Sequence, residues 1–373
     1  MLWHEVKFQP EQTQTFIGSP GLARLPDGVL VASHDYFGPG CPRTCEGEEG
    51  MVSIYRSEDN GQSWVNVTHV MNAFWSALFY HQGSLYLIGT SQQWGSIVIR
   101  RSNDGGFTWT HPTDSQHGLL FKGGAFHNAP NYHCAPTPVL VHGNRLYRAF
   151  ENCDPLEWGP GFKSLVISVG KDGDLLDAGN WSMSNQLAFD PAWLPKEWGD
   201  LARPGWLEGN MVTAPSGELW NVLRFHANPV VGKVAIVKVH DDGARLIFNP
   251  TNGFIEFPGG ATKFTIRRDP KSQKYLALVN NVTDARRPDQ RNVLSLSIST
   301  DLMHWKLVKT LMVDDTGLGH EDSIHLTGFQ YVEWHFDGND IIYLIRAAYR
   351  GARNFHDANR LIFARLINYA DYM

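Results

Sequence analysis

At 373 residues, with 36 glycines, 20 prolines and 13 tryptophans, the chain reads as turn-rich and aromatic-rich, a composition suited to many short strands rather than long helices. A formal charge of −6 and an isoelectric point near 6.2 give no basis for a nucleic-acid partner. No apolar run approaches the ~18 residues of a membrane span.

The start, Met1-Leu2-Trp3-His4-Glu5, has neither the basic opening nor the apolar stretch of a leader, which fits a cytoplasmic chain or one whose leader has been removed. A unit then recurs along the chain: a short apolar run, a tight turn, and a β-branched run. It occupies residues 21–32 around Pro26-Asp27-Gly28, 76–88 around His81-Gln82-Gly83, and 137–150 around His142-Gly143-Asn144. It returns at 211–223 around Pro215-Ser216-Gly217, 264–279 around Asp269-Pro270-Lys271, and 331–345 around Asp337-Gly338-Asn339. Each predicts a hairpin. Each is followed by a third β-like run, at 52–56, 97–101, 164–169, 233–239, 292–298 and 361–366. Fourth runs follow in most units, as at 64–70 and 305–312. The last unit lacks one of its own, and residues 2–8 would supply it and close a ring.

Six units of roughly 60 residues predict an all-β, six-bladed β-propeller, a closed ring that leaves few exposed strand edges. The third unit is long, with Pro/Trp/Gly-rich loops at 154–161 and 190–205, so seven blades are the alternative. With no linker or low-complexity segment, residues 1–373 read as a single domain. Cys41 and Cys45 share a loop and Cys134 and Cys153 bracket a predicted hairpin; two disulfides and four free thiols fit equally. C-x3-C without a second close pair is not a zinc signature, and no metal or cofactor is expected.

Two corners between third and fourth runs are near-twins: Ser57-Glu58-Asp59-Asn60-Gly61-Gln62-Ser63-Trp64 and Ser102-Asn103-Asp104-Gly105-Gly106-Phe107-Thr108-Trp109. Both spell S-x-D-x-G-x-x-W. A third copy, Ser299-Thr300-Asp301-Leu302-Met303-His304-Trp305, lacks the glycine and is one residue shorter. Short polar side chains that bond nearby backbone N–H groups, and a glycine free to take positive φ, make a self-stabilised turn. This motif is the Asp box, and the chain resembles the sialidase-like, BNR-repeat β-propeller enzymes. In that family the corners lie away from the active centre, so the resemblance speaks first for the fold and implies a carbohydrate-active enzyme with an oligo- or polysaccharide substrate.

Site residues of a propeller are expected where first strands start and second strands end. Leu207-Glu208-Gly209-Asn210, with Arg224 closing the next run, is similar to the sialidase pattern in which a glutamate activates a tyrosine nucleophile and an arginine grips the substrate carboxylate. The tyrosine of that family opens the last blade, which points to Tyr331, next to Gln330, with Tyr349 as the fallback. The first unit departs from the family: Ile17-Gly18-Ser19-Pro20 has Gly18 where sialidases carry an arginine, leaving room for a bulkier or neutral group. This argues for a non-sialidase branch. Ser33-His34-Asp35 places a proton-transfer group and a candidate general acid at the end of the second run; the alternative is that Asp35 caps the loop and His34 packs in the channel.

Lys263 and Arg291 in the fifth unit, Gln330, Arg346, Arg353 and His356 in the sixth, and His133 in the third are further candidates for ligand contact. The third unit adds His127, His133 and Cys134 in no recognised metal spacing. Trp75, Trp94, Trp158, Trp198 and Trp206 fall in or near loops, where indoles serve as sugar platforms or as blade packing. Three functions fit these residues. The first is an exo-acting, sialidase-like hydrolase of a terminal bond in an acidic glycan. The second is a polysaccharide lyase, or an unusual hydrolase with a histidine base, acting on uronic-acid glycans of the rhamnose–glucuronate type. The third is a non-catalytic glycan-binding propeller.

Overall fold

The structure, a computed structural model, describes residues 3–373. Its strands form six antiparallel sheets arranged as blades. Blade I carries Gly21–Arg24, Leu30–Phe37, Met51–Ser57 and Val65–Met71, with Phe16–Ile17 continuing its inner edge. Blade II runs from Phe74–His81 through Ser84–Thr90 and Ile97–Ser102 to Leu119–Phe121. Blade III is built on the long pair Arg145–Cys153 and Phe162–Gly170, blade IV on Gly205–Thr213, Leu219–His226 and Lys233–His240. Blade V spans Thr265–Arg268 to Lys306–Val313. Blade VI joins Gly328–Asp337, Asp340–Ala348 and Arg360–Leu366 to the N-terminal strand Trp3–Phe8, which pairs antiparallel with Arg360–Leu366. Leu2, the first residue of the expected closing run, lies outside the described residues.

The described residues form no seventh sheet. The long 190–205 loop instead makes two single 3-10 turns on the outside of blade IV. There Trp193, Trp198 and Trp206 pack with Phe189, Phe225 and Phe254, so Trp206 is a core residue and Trp198 lies half-buried against that core. Cys41, Cys45, Cys134 and Cys153 are all free thiols.

The apolar core is not central. It consists of six layers, each between neighbouring blades: for example, Ile54 and Val31 of blade I against Leu85 and Leu87 of blade II, and Leu278 and Leu296 of blade V against Trp334 and Tyr343 of blade VI. Every middle strand is therefore covered on both faces, which is why these strands read as near-continuous apolar runs. The axis is left to polar side chains, and that is where the site lies.

The S-x-D-x-G-x-x-W corners behave as their chemistry requires. In the first, Ser57 donates to Asp59 (2.8 Å), Asp59 accepts from the Ser63 N–H (2.9 Å), and the Trp64 indole donates to the Gly61 carbonyl (3.2 Å). The second repeats this with Ser102, Asp104, Thr108, Trp109 and Gly106. In the shortened third, the Trp305 indole donates to the Leu302 carbonyl (2.9 Å), and Leu302 takes the glycine's place with φ of 67°. Arg24, at the hairpin end of blade I, donates to Asn60 (2.7 Å), which puts this corner at the end of the blade opposite Asp35.

Candidate functional site

At the mouth formed by first-strand starts and second-strand ends, three inner strands are bulged. The ladders skip between Phe74 and Ala77, between Leu207 and Asn210, and between Gln330 and Glu333. At each skip one non-glycine residue has positive φ: Trp75 at 45°, Glu208 at 57° and Tyr331 at 55°. A bulge re-aims a side chain at a cost in backbone strain, and such strain concentrates at functional sites. Here the bulges fall on alternate blades II, IV and VI and turn all three residues toward one place.

There the Tyr331 hydroxyl donates to Glu208 Oε1 at 2.5 Å. Glu208 Oε2 accepts from the Arg224 guanidinium at 2.8 Å, and Arg224 Nε is anchored to the Ala261 carbonyl. Glu208 and Arg224 are both buried. Burial alone would raise the Glu208 pKa; the Arg224 charge and the bonds from Arg224 and Tyr331 override it and hold the carboxyl down at about 2. The Tyr331 phenol is pushed up by burial and by the Glu208 carboxylate.

Two more guanidiniums surround the phenol. Arg346 lies 4.1 Å from the centre of the Tyr331 ring and Arg291 at 6.0 Å. Both direct an N–H to the one amide oxygen of Gln330, and both leave Nε without a partner. The Gln330 amide nitrogen donates to the Phe355 and His356 carbonyls, so this buried residue ties the arginines to the 353–359 loop.

Asp35 faces the same cavity from blade I. Its two carboxylate oxygens accept the backbone N–H groups of Ser19 and Trp75, each at 2.5 Å. Burial raises its pKa to about 7, against the lowering effect of those two bonds and of Arg346. Gly18 is required by this placement: a Cβ there would fall 1.7 Å from Asp35 Oδ1. The space opened by Gly18 is thus filled by Asp35 itself, not left for a bulkier substrate group.

The cavity has two lobes that share Trp158, Tyr331 and His356. The lobe toward blades I–III, about 250 Å³, holds Gly18, Asp35, Glu48, Trp75, His133 and Arg346. The lobe toward blades IV and V, about 310 Å³, holds Arg224, His226, Asp289, Arg291 and Phe355. Tyr331 stands on the seam.

Five of the expected residues lie elsewhere. His34, adjacent to Asp35 on an extended strand, points to the opposite face, as strand alternation demands. It is buried between Tyr36 and Tyr55, with Nε2 3.2 Å from the Tyr55 hydroxyl, and burial lowers its pKa to about 4. Lys263 is buried deeper in the channel, where its ammonium bonds Thr265 and the Val332 carbonyl at 2.6 Å each. Arg353 braces its own loop through Asp357 (2.5 Å) and stacks on Phe16. Tyr349 sits in the cleft between blades V and VI, bonded to Asp315. His127 bonds the Glu46 carbonyl and does not join His133.

Sequence reasoning passed over Glu151, which holds the His133 ring by Nδ1 at 2.8 Å, and Glu48, which lines the Asp35 lobe. A signal for Glu151 exists. Second strands carry a polar residue at their sixth or seventh position: Asp35, Thr90, Glu151, Arg224, Asn280 and Arg346 in blades I to VI. Each is buried at the mouth end of its blade.

No protein-family profile matches the chain, and no curated protein matches it in sequence. Solved structures do match it in fold. An α-L-arabinanase of Penicillium chrysogenum, solved with arabinobiose, shares 15% identity over 100% of this chain and 99% of its own, with a TM-score of 0.60. The α-L-arabinofuranosidase Arb93A of Fusarium graminearum shares 14% over 100% and 99%, at 0.62. A Hadza microbial sialidase, Hz136, shares 13% over 100% of this chain and 69% of its own, at 0.64. By fold the chain is a sialidase-like six-bladed β-propeller, an architecture it shares with non-sialidase hydrolases as well as sialidases.

Proposed function

We propose that this protein is a glycoside hydrolase that releases a terminal, carboxylate-bearing sugar from a glycan. The observation that carries the proposal is the 2.5 Å contact of the Tyr331 hydroxyl with Glu208 in a cavity that Asp35 enters from the other side. The arabinanase, arabinofuranosidase and sialidase whose fold the chain shares support the same class of chemistry.

In this reading Tyr331 is the nucleophile. Its oxygen attacks the anomeric carbon while its proton passes to Glu208. Asp35, kept protonated by burial up to about pH 7, gives its proton to the departing oxygen. Water then attacks the anomeric carbon of the tyrosyl glycoside, losing its proton to Asp35, while the departing Tyr331 oxygen recovers its proton from Glu208. A phenol is neutral, so it approaches a charged anomeric centre without the repulsion that two carboxylates would bring.

The charge around the phenol selects the sugar. Of the three guanidiniums around the phenol, Arg224 is paired directly with Glu208, while among the described residues Arg291 and Arg346 form no ion pair. Burial lowers Arg291 to about 10, so it remains charged at neutral pH. A substrate carboxylate satisfies the free donors by charge-assisted hydrogen bonds. It also offsets the field that holds Glu208 down, and so strengthens Glu208 as a base when substrate is seated.

The test is covalent trapping. A fluoroglycosyl fluoride bearing a carboxylate is incubated with the protein, and the digest is read by mass spectrometry. A glycosyl adduct on Tyr331 is expected; turnover with no adduct on Tyr331 sinks the mechanism. An elimination would take its base from a histidine, and with His34 turned away that leaves His133 or His356. A product that absorbs in the near ultraviolet, from a new C=C bond, would favour elimination. Sugar binding with no bond cleaved would favour a lectin-like propeller.

A further inference from the structure

The proton transfers above leave one buried pair in the cavity unused. His133 and Glu151 are opposite one another in register across the pairing of Tyr132–His133 with Arg145–Cys153. The sheet itself therefore presents one to the other. Glu151 Oε2 lies 2.8 Å from His133 Nδ1, and Oε1 accepts the Gly209 N–H at 3.1 Å, next to Glu208. A Cβ at Gly209 would fall 2.3 Å from Asn221 Oδ1, so any larger residue would displace the Asn221 side chain. The side chain of His133 is 3% exposed and that of Glu151 is 0% exposed.

A carboxylate only accepts, so Nδ1 carries the hydrogen, and in the neutral ring Nε2 keeps a lone pair. Among the described residues no group bonds Nε2. The ring is fixed by aromatic walls: Trp75 edge-on at 4.3 Å, Phe162 at 5.0 Å, Trp94 stacked at 5.5 Å and Trp158 at 6.1 Å. Trp75, Trp158 and His133 line the same lobe as Asp35. A rigid acceptor, held in one tautomer and facing an aromatic-walled cavity, is built to meet a donor; left unmet on closure it would carry a desolvation penalty.

We propose that the His133, Trp75 and Trp158 wall is a subsite that reads one hydrogen-bond donor of the bound saccharide, a hydroxyl or amide N–H, through His133 Nε2. Glu151 is the positioning residue that fixes the tautomer. The ring bearing that donor stacks on the indoles, which tolerate any sugar with an apolar face; the histidine supplies the discrimination. This rests on the saccharide reading of the cavity but not on which residue is the nucleophile.

The test uses a panel of 4-nitrophenyl glycosides of carboxylated sugars, with the monodeoxy analogues of whichever is turned over best. One analogue is expected to lose at least about a hundredfold in kcat/KM on the wild type, because a site built around a donor rejects its absence strongly. His133→Phe should slow the parent by a similar factor and leave that analogue unchanged, so that discrimination vanishes. Glu151→Gln should cut discrimination at least about tenfold, and its His133 15N shifts should move from the Nδ1–H to the Nε2–H pattern, which a merely structural role would not produce. Discrimination that survives in His133→Phe, equal use of all monodeoxy analogues, or an Nε2–H tautomer in the wild type would each overturn the proposal. If no glycoside is hydrolysed, the hydrolase reading fails by itself. The subsite is then judged by tryptophan fluorescence on titration with the corresponding methyl glycosides: saturable quenching lost in His133→Phe supports it, and no quenching overturns it.

Discussion

Tyr331 and Glu208 meet at 2.5 Å across the channel, from blades VI and IV, and each is held at a strand bulge with φ between 55° and 57°. Left-handed backbone at a non-glycine residue costs about 1 kcal/mol or more. The ring of blades supplies that cost at both ends of one hydrogen bond. Without the bulges, strand alternation would aim each side chain along its own sheet surface and the two would not converge.

Tyr331→Phe keeps the ring beneath Arg346 and removes only the oxygen, so the fold should persist while kcat/KM falls by about 10³-fold or more. Glu208→Gln should lose activity comparably, and the double variant should be no worse than the poorer single one, because the two act as one unit. The stability effects should differ. Glu208→Gln leaves the buried Arg224 charge uncompensated, which costs roughly 3–5 kcal/mol, whereas Tyr331→Phe leaves the Glu208–Arg224 pair intact. Steady-state kinetics and thermal unfolding of the three variants check this, and a Tyr331→Phe enzyme within tenfold of wild type would refute it.

Asp35 acts as an acid and so must hold its proton. With its pKa raised to about 7 by burial, kcat/KM should fall as pH rises through 7, and Asp35→Asn should remove that limb along with about 10²–10⁴ of the rate for poor leaving groups. Stability follows the same sign. The folded pKa lies above the ordinary 3.8, so the protonated form is the one the fold favours. The contribution is fully present below about pH 4 and is lost as pH rises through 7. Unfolding midpoints taken from pH 4 to 8 should show this slope in the wild type and lose it in Asp35→Asn.

Arg291 and Arg346 have donors to spare, so their removal should matter only for a charged ligand. Arg346→Met is expected to raise KM for a carboxylated substrate by about 10–100-fold, equivalent to one lost charge-assisted bond of roughly 1.5–3 kcal/mol. The corresponding methyl ester should bind wild type and variant alike. An ester that loses as much as the acid would show that Arg346 supports Tyr331 rather than the substrate.

The fold was legible because its signals are local. Hairpin turns and two S-x-D-x-G-x-x-W corners each carry their own stabilising chemistry within a few residues, and Glu208 and Arg224 lie on adjacent strands separated by one recognisable turn. The site was legible only in part, because it is assembled across blades. Ser33-His34-Asp35 shows the limit: alternation guarantees that only one of two neighbours faces the channel, and nothing within the tripeptide says which. Packing decides it, with Tyr36 and Tyr55 enclosing His34 and the Ser19 and Trp75 N–H groups drawing in Asp35. Glu151 was obscured by the apolar run around it, although its position matches that of Arg224 and Arg346 in their strands.

Leu302 offers a direct comparison of strain with burial. It stands where the other two corners place Gly61 and Gly106, with φ of 67° against 91° and 102°. Leu302→Gly would relieve left-handed strain of about 1–2 kcal/mol. It would also remove a side chain only 1% exposed, packed between blades IV and V near Phe257 and Trp305. Large-to-small truncation of a buried leucine costs roughly 2–5 kcal/mol, and glycine adds about 1 kcal/mol through unfolded-state entropy. Burial wins, and Leu302→Gly should be less stable by about 2–4 kcal/mol despite restoring the motif. Denaturant unfolding measures this. A variant as stable as wild type would mean that the corner, rather than the inter-blade layer, sets the stability of this junction.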